Sequence, residues 1–493
     1  MLKKNLFLIS ALICLLALGM TSCDTPTEQN RGEQSNSETV QTETKTAETK
    51  ITPDLPDITF DGATFHLMQW YRGEGHVHNY FEYYSDELNG ELLNDAIYNR
   101  NMRLQEKYDI CITQNGVDAP AETVAAEVLA GSCEYHMVAA PPKNLANASR
   151  NGTFMNIHTI PYMDISKPWW NNRANEAFSV NDKLYFISGD LVLYEKQRLP
   201  VIFYNRTMTE NYQIENLYDV VDAGKWTVDV MNMYANTVSN DTNGDGMLSW
   251  ENDTIGFLSG SYTYIPFLLF GMENTFAPKI DDNTFNLNAS SERMISSIEK
   301  IGKILYSDNV SWREEIIGKA SYTSTYQAFQ EGRFLFFHEV ITVLRNMEMD
   351  DAFGVLPQPK YDEAQENYLT TVQYENSGTI AVPASGKDLE MTGVILEAMA
   401  YDSSESVLPV FIENILQSKK APDQESSKML EIVFKNIIYD LFGAFDIGGL
   451  SGLIADNIYN KHGDGYTALI ESQKVSITTD YEKLVEDYSE IDH

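Results

Sequence analysis

The sequence of 493 residues is poor in basic side chains and in cysteine. It has 35 Lys and Arg against 72 Asp and Glu, a formal net charge of −37, and only four Cys. An acidic surface repels the phosphates of nucleic acids and anionic membrane faces, so neither is expected as a direct partner. Hydrophobic residues make up 43% and charged residues 22%, which is typical of a globular chain. The length leaves room for two or three domains.

Motifs of common enzyme classes are also missing. The sequence contains no G-x-S-x-G nucleophile elbow, no P-loop and no complete dinucleotide-binding glycine pattern. His338-Glu339 begins like a zinc protease motif, but Thr342 occupies the position of the second His. We therefore expect no catalytic residue and no catalytic cofactor. A Ca²⁺-dependent polysaccharide hydrolase or lyase stays as an alternative to a protein without catalytic activity. Glycosidases use a pair of carboxylates at a defined separation, and a sequence does not give that separation.

The first residues have the pattern of a secretory signal. Lys3 and Lys4 precede an apolar run over residues 6–20, which is shorter than the ~20 residues of a membrane-spanning helix. Met20-Thr21-Ser22-Cys23 resembles the lipobox of bacterial lipoproteins, although Leu is commonest where Met20 stands. The resemblance implies removal of residues 1–22, lipidation of Cys23 and an extracellular protein anchored to the cell membrane. The alternative is an ordinary secretory signal with a chance Cys.

Residues 23–56 contain no aromatic side chain and are rich in Thr, Glu, Ser and Gln. Such a segment buries too little apolar surface to offset the entropy lost on folding, so we expect a disordered tether behind the lipidated terminus.

Two cysteines remain in the body of the chain. Cys111 and Cys133 are either bridged, as an oxidising exterior allows, or two small buried thiols. The sequence leaves both possibilities open.

Strand and helix patterns alternate from residue 57 onwards. Strand patterns cover residues 64–70, 108–113 and 135–140, and helical patterns lie between them, the second over 121–130. This β-α-β-α-β order predicts a parallel sheet with right-handed crossovers. Further strands are predicted at 199–204, 331–337 and 353–357. Two α/β lobes are therefore expected.

Five short segments of the body share an order and a spacing. They are LYFISGD (184–190), VIFYNR (201–206), GKWT (224–227), AFQEGR (328–333) and FGVLPQPK (353–360). With them the body resembles, over about residues 59–443, the extracellular solute-binding proteins of ABC importers, in particular the family that takes sugars and oligosaccharides. The resemblance implies an α/β, two-lobed periplasmic-binding-protein-like fold of class II with a hinge. Lobe 1 would comprise 57–199 and 338–385, and lobe 2 would comprise 200–337 and 386–493.

The same resemblance implies a function. The protein would capture a solute, with a carbohydrate as the first expectation, and deliver it as a monomer to the permease of an ABC transporter. A surface glycan-binding lipoprotein that serves no importer is a further alternative, and that type would be mostly helical.

Aromatic side chains near polar ones are the candidates for solute binding. A sugar ring presents an apolar C–H face to aromatic rings and its hydroxyls to charged or amide groups. Trp70 and Tyr71 end the first predicted strand, at the sheet edge where α/β folds bind ligands. The other candidates are Trp169, Trp170, Arg173, Asp190, Tyr194 and Glu339. Trp169 and Trp170 are alternatively lobe-packing residues, and Glu339 is alternatively part of a buried hinge pair with His338.

One local motif indicates a metal. Residues 241–246 match D-x-[DN]-x-[DN]-G, the first half of a Ca²⁺ loop. The predicted oxygen ligands are Asp241, Asn243, Asp245, the carbonyl of Met247, and Asp253. Asn252 stands where an EF-hand has its bidentate Glu, so a complete EF-hand is not expected. The sequence predicts a structural Ca²⁺, with a solvated turn as the alternative.

Overall fold

The computed structural model describes residues 50–74, 76, 79–246, 248, 252–259, 264–281, 284–306, 311–312, 322–345, 347–416 and 424–493. The predicted signal peptide, Cys23 and residues 24–49 of the tether lie outside the described residues. Thr52–His493 form one compact unit, which contains all of the described strands and helices.

The strands of the described residues are short and largely apolar. They are β1 (Ala63–Trp70), β2 (Ile110–Val117), β3 (Met137–Ala140), β4 (Pro200–Asn205), β5 (Ile255–Ser259), β6 (Lys279–Asp281), β7 (Thr284–Phe285), β8 (Ser311–Trp312), β9 (Phe334–Val340), β10 (Phe353–Leu356), β11 (Thr370–Thr371), β12 (Thr379–Ala381) and β13 (Ile437–Ile438).

Helices fill most of the remaining described chain. They are α1 (Leu92–Tyr108), α2 (Pro120–Ala130), α3 (Pro142–Ser149), α4 (Asn172–Phe178), α5 (Leu193–Gln197), α6 (Arg206–Asn211), α7 (Leu217–Asp222), α8 (Val228–Val238), α9 (Ile265–Gly271), α10 (Glu292–Tyr306), α11 (Tyr322–Gln330), α12 (Leu389–Asp402), α13 (Leu408–Leu416), α14 (Gln424–Lys435), α15 (Leu441–Ala444), α16 (Leu450–Lys461) and α17 (Tyr466–Glu490). Neither α17, the longest, nor any other described helix has the length and apolar content that a membrane span requires.

The first sheet has the strand order β12-β3-β1-β2. β1 is parallel to both β2 and β3, and β12 is antiparallel to β3. α1 and α2 are the crossovers that parallel pairing needs. The carboxyl ends of β1, β2 and β3 therefore lie at one edge of the sheet, where Trp70 is the last residue of β1.

The second sheet has the order β10-β4-β9-β5-β8. β4 is antiparallel to β9 and β10, whereas β5 is parallel to β9 and β8. All seven residues of β9 are buried, as expected of a central strand covered on both faces. Pro200 at the start of β4 pairs with Val340 at the end of β9, so the segments that enter and leave this sheet lie side by side.

The strand pairing differs from the predicted lobe boundaries at two places. β10 joins the sheet of β4 and β9, although residues 338–385 were expected in lobe 1. α12 and the π-helical turn after it lie on α1, although residues 386–493 were expected in lobe 2. Arg103 of α1 donates to Asp402 (3.0 Å) and Arg100 donates to Ser403 (3.0 Å). β10 pairs with β4 and α12 packs on α1, and a local sequence pattern reveals neither of these distant partners.

Two further expectations concern cysteine and helix content. Cys111 is exposed on β2 and Cys133 is buried, and both are free thiols. Helices hold far more of the described residues than strands do, so helix content does not separate this fold from a glycan-binding lipoprotein that serves no importer, and that alternative stays open.

Candidate functional site

Side chains at the strand ends of both sheets meet in one buried group, which we call the strand-end cluster. Its members are Trp70, Tyr80, Arg198, Tyr264, Glu339 and Gln373, and each is at most 8% exposed. Trp70 ends β1, whereas Arg198 precedes β4 and Glu339 lies at the end of β9. The cluster therefore joins the carboxyl edge of the first sheet to the corresponding edge of the second.

The first-sheet side of the cluster is aromatic. Trp70 meets Tyr80 edge to face with 5.7 Å between ring centroids, and Tyr80 lies 5.1 Å from the ring of Tyr194. The Tyr80 hydroxyl donates to the backbone carbonyl of Ser377. The Tyr194 N–H donates to a carboxylate oxygen of Glu82 at 3.1 Å. These contacts fix a wall of rings beside the hinge segments.

The second-sheet side is polar. The Arg198 Nε donates to the side-chain oxygen of Gln373 at 2.9 Å, and a terminal guanidinium nitrogen donates to the same atom. The Val340 N–H donates to Glu339 Oε1 at 2.8 Å. Glu339 Oε2 is buried and has no hydrogen-bond partner of normal geometry among the described residues, although the Tyr264 hydroxyl lies near enough to lower the pKa of this carboxyl. An unfilled buried acceptor of this kind is costly and commonly marks a position that a ligand or a water fills.

Burial dominates the electrostatics of Glu339. It raises the pKa of this carboxyl to about 7, against the opposing effects of the Val340 N–H and the positive charge of Arg198. Burial, with the charge of Glu339, also raises the pKa of Tyr264 to about 12. The cluster thus offers aromatic faces, a guanidinium, an amide, a hydroxyl and an unfilled carboxyl oxygen, a set suited to binding hydroxyl groups.

His338 lies next to Glu339 on β9 and is fully buried. Its Nε2 lies 3.0 Å from the Gln358 amide nitrogen, and its Nδ1 has no partner among the described residues. Burial lowers the pKa of His338 to about 3, so the ring is neutral at physiological pH. A neutral imidazole packed near Phe257 and Tyr264 is consistent with a structural role in the hinge.

Trp169 and Trp170 lie in a different environment. Both indoles are buried, and their N–H groups donate to the two carboxylate oxygens of Glu397 at 3.0 and 2.8 Å. Glu397 belongs to α12, so the pair attaches this helix to the loop before α4. This arrangement favours the packing alternative, and contact of either indole with a solute stays a prediction.

The remaining predicted residues are spread around the edge of the sheet. Tyr71 is 40% exposed and rests on Gly116, where a Cβ would lie 2.6 Å from the Tyr71 Cβ. Asp190 lies 4.0 Å from Lys196, and burial raises the pKa of its carboxyl. Arg173 is exposed and donates to the Lys435 carbonyl at 3.1 Å. Among the described residues, Arg173 and Asp190 make no hydrogen bond or ion pair with the strand-end cluster, so their predicted ligand contact also stays a prediction.

The predicted Ca²⁺ loop closes on itself. Both carboxylate oxygens of Asp241 accept backbone N–H bonds, from Gly244 and Gly246, at 2.7 Å. The Asn243 amide donates to Asp245 at 2.8 Å, and buried Asp253 accepts the Thr242 N–H at 2.8 Å. Met247 lies outside the described residues. Within the described part of the chain no group of three or more His, Cys, Asp or Glu is placed to hold a metal, and the Ca²⁺ stays a prediction.

Sequence reasoning missed Tyr80, Arg198, Tyr264 and Gln373. Arg198 could have been noticed, because it directly precedes the largely apolar run over residues 199–204. The other three join the cluster only through contacts distant in sequence, which no local pattern indicates.

Comparison with known proteins supports the fold. No family model and no curated protein matches the chain. A solved structure of a cyclo/maltodextrin-binding protein complexed with maltotetraose aligns with a TM-score of 0.54 and 14% identity, covering 87% of this chain and 98% of that one. UspC of M. tuberculosis aligns with a TM-score of 0.54 and 13% identity, covering 85% of this chain and all of the other. The chain therefore has the α/β, two-lobed periplasmic-binding-protein-like fold that its sequence predicts.

Proposed function

We propose that the protein captures a solute, with a carbohydrate as the first candidate, between two lobes and delivers it to the permease of an ABC transporter. The observation that carries the proposal is the strand-end cluster, in which both sheets contribute binding groups to one buried place. The fold it shares with a cyclo/maltodextrin-binding protein is in keeping with this function.

The cluster suggests how a solute would be held. The ring of Trp70 offers a flat apolar surface for a C–H face, and the unfilled Oε2 of Glu339 accepts a hydroxyl proton. Arg198 and Gln373 provide further donors and acceptors close by. No nucleophile or base motif accompanies these groups, so binding without chemistry is the simpler proposal.

The burial of the cluster implies a moving hinge. Arg198, Glu339 and Gln373 are each no more than 4% exposed, so a solute contacts them only after the surrounding elements separate. A solute that touches residues from both sheets binds the closed arrangement better than the open one and shifts the population toward closure.

The anchoring and location belong to the same proposal. A signal peptide over residues 1–22, lipidation at Cys23 and an extracellular, monomeric protein rest on the lipobox-like sequence and the acidic composition. Cys23→Ser should release the protein into the medium or leave it unprocessed, as cell fractionation would show. Processed, membrane-bound protein at wild-type levels would contradict the anchor.

A thermal-shift screen over mono- and oligosaccharides, with peptides as a second panel, tests capture directly. A ligand at 100 times its Kd raises the unfolding free energy by about 2.7 kcal/mol. Measured at pH 8, where Glu339 is ionised, Trp70→Ala and Glu339→Gln should each weaken binding of the active compound by about 1–3 kcal/mol. Tyr162→Ala, which removes an exposed ring elsewhere, should not.

Three outcomes would count against the proposal. They are a screen without any shift, full affinity in both cluster variants, and release of reducing ends from a glycan panel. The last of these would favour the hydrolase alternative.

A further inference from the structure

A cavity of about 810 Å³ lies apart from the strand-end cluster, and none of the cluster residues lines it. Its walls come from three distant parts of the chain: residues 158–184 around α4, residues 275–281 around β6, and residues 437–441 between β13 and α15. This volume lies within the range of sites for small molecules, about 300–1,000 Å³.

Apolar side chains form most of the cavity wall. They include Ile165, Leu184, Ala277, Pro278, Ile280 and Ile437. Ile280 is 69% exposed, an unusual degree for a large aliphatic side chain beside other apolar groups. Exposed apolar surface gathered in a concave place is typical of a site that binds an apolar group.

Charged side chains also line this wall: they are Arg173 and Lys279 with Glu176, Asp281 and Asp440. Asp440 is buried and accepts backbone N–H groups from Phe276 and Gly443, and Lys279 donates to the backbone carbonyls of Glu176 and Ser179, whereas Arg173 is exposed.

The Arg173 guanidinium makes one hydrogen bond, to the Lys435 carbonyl at 3.1 Å, and it has no carboxylate partner among the described residues. Glu176 lies three residues further along α4 and also lines the wall, but among the described residues it makes no ion pair with Arg173. The planar N–H groups that stay open match the two oxygens of a carboxylate.

We propose that this cavity binds a small amphiphilic anion, with an apolar body against Ile165, Ile280 and Ile437 and a carboxylate on Arg173. The site is distinct from the place where the captured solute binds and does not depend on it. In this proposal Arg173, which the sequence predicts as a contact of the captured solute, binds the carboxylate of a different ligand.

Titration with the fluorescent anion 8-anilinonaphthalene-1-sulfonate, in the absence of sugar, tests the proposal. Its emission should rise on binding the purified protein, octanoate should displace it, and octylamine at equal concentration should not. Arg173→Gln should raise the Kd of octanoate by about fivefold or more, because the charge-assisted hydrogen bonds are lost, and Arg173→Lys should raise it less.

Two variants probe the apolar wall. Ala177→Trp should block the dye by filling the cavity, and Ile280→Ser, at an exposed position, should weaken both dye and octanoate while leaving the circular dichroism spectrum unchanged. Arg72→Gln, a second exposed arginine, and Glu339→Gln in the strand-end cluster should bind octanoate as the wild type does. Unchanged octanoate affinity in Arg173→Gln and Ile280→Ser, or equal displacement by octylamine, would overturn the proposal, whatever the sugar screen shows.

Discussion

At the scale of single residues, Glu339 couples the stability of the fold to pH. Its pKa rises from 4.5 in an ordinary setting to about 7 in the folded protein. Between these values the unfolded chain has released the proton that the folded protein keeps, so the unfolding free energy falls as pH rises. At 1.36 kcal/mol per pH unit, the difference amounts to about 3 kcal/mol.

Glu339→Gln removes this titration while keeping the shape of the side chain. We expect the unfolding free energy of the variant, relative to wild type, to rise by about 3 kcal/mol between about pH 4.5 and pH 8. Urea unfolding at both pH values measures it. Glu482→Gln, on an exposed residue of α17, should show no such change, and a pH-independent difference for Glu339→Gln would contradict the buried titration.

The sequence predicts some residues of the strand-end cluster and misses others. The sequence indicates Trp70 because it ends the first predicted strand, and Glu339 because it follows the strand predicted at 331–337. Trp169 and Trp170 are aromatic residues of the kind that stacks on sugar rings. In the structure, however, both indole N–H groups donate to Glu397, which lies more than two hundred residues later in the sequence. No local pattern reveals such a distant acceptor.

At the scale of elements, close helix packing depends on one glycine. A Cβ at Gly393, in α12, would lie 1.7 Å from the Pro161 carbonyl oxygen, so the helix must shift if any side chain is added. Gly393→Ala should destabilise the protein by on the order of 3 kcal/mol. Gly452 in α16 has nothing within 4 Å of its Cβ position, so Gly452→Ala should stabilise by about 0.5–1 kcal/mol.

Urea denaturation of the two alanine variants checks this contrast, because both replace a helical glycine by the same residue. Equal effects on stability would show that α12 does not pack as closely as the structure has it.

The loop over residues 241–246 carries the metal prediction. If it binds Ca²⁺, removal of the ion by EDTA should lower the melting temperature, and added Ca²⁺ should restore it, since the carboxylates then no longer repel one another. Asp245→Ala should abolish the response, whereas Asp464→Ala, an exposed Asp elsewhere, should keep it. Identical melting curves with and without chelator in wild type would contradict the site.

Most elements followed from local pattern, with boundaries displaced by a few residues. The strand predicted at 331–337 is β9 at Phe334–Val340, because Gly332 adopts a left-handed turn before it. The local pattern did not, however, show which of the two sheets a strand late in the sequence joins. β10 pairs with β4 because Phe353 and Val355 are buried there, and strand propensity is the same for either sheet.

At the scale of the whole molecule, the C-terminal helix links the parts that a hinge would separate. Arg150, after α3, donates to Asp480 and Asp487 of α17, both at 2.9 Å. The Tyr466 hydroxyl of the same helix donates to the Ala289 carbonyl at 2.6 Å, beside the second sheet's helices. If the hinge opens, α17 therefore either moves together with one of the two parts or loses contacts with the other.

The last prediction concerns closure of the protein around a solute. If the proposed solute binds at the buried strand-end cluster, the protein has to open to admit it and to close to complete the contacts from both sheets. Saturation with the active compound of the sugar screen should therefore reduce the radius of gyration measured by small-angle X-ray scattering. Trp70→Ala at the same concentration should stay as expanded as the sugar-free protein, since it lacks one of the contacts that favour closure. Tight binding with an unchanged radius of gyration would mean that the solute binds a preformed site, and that the cluster at the hinge is only a structural core.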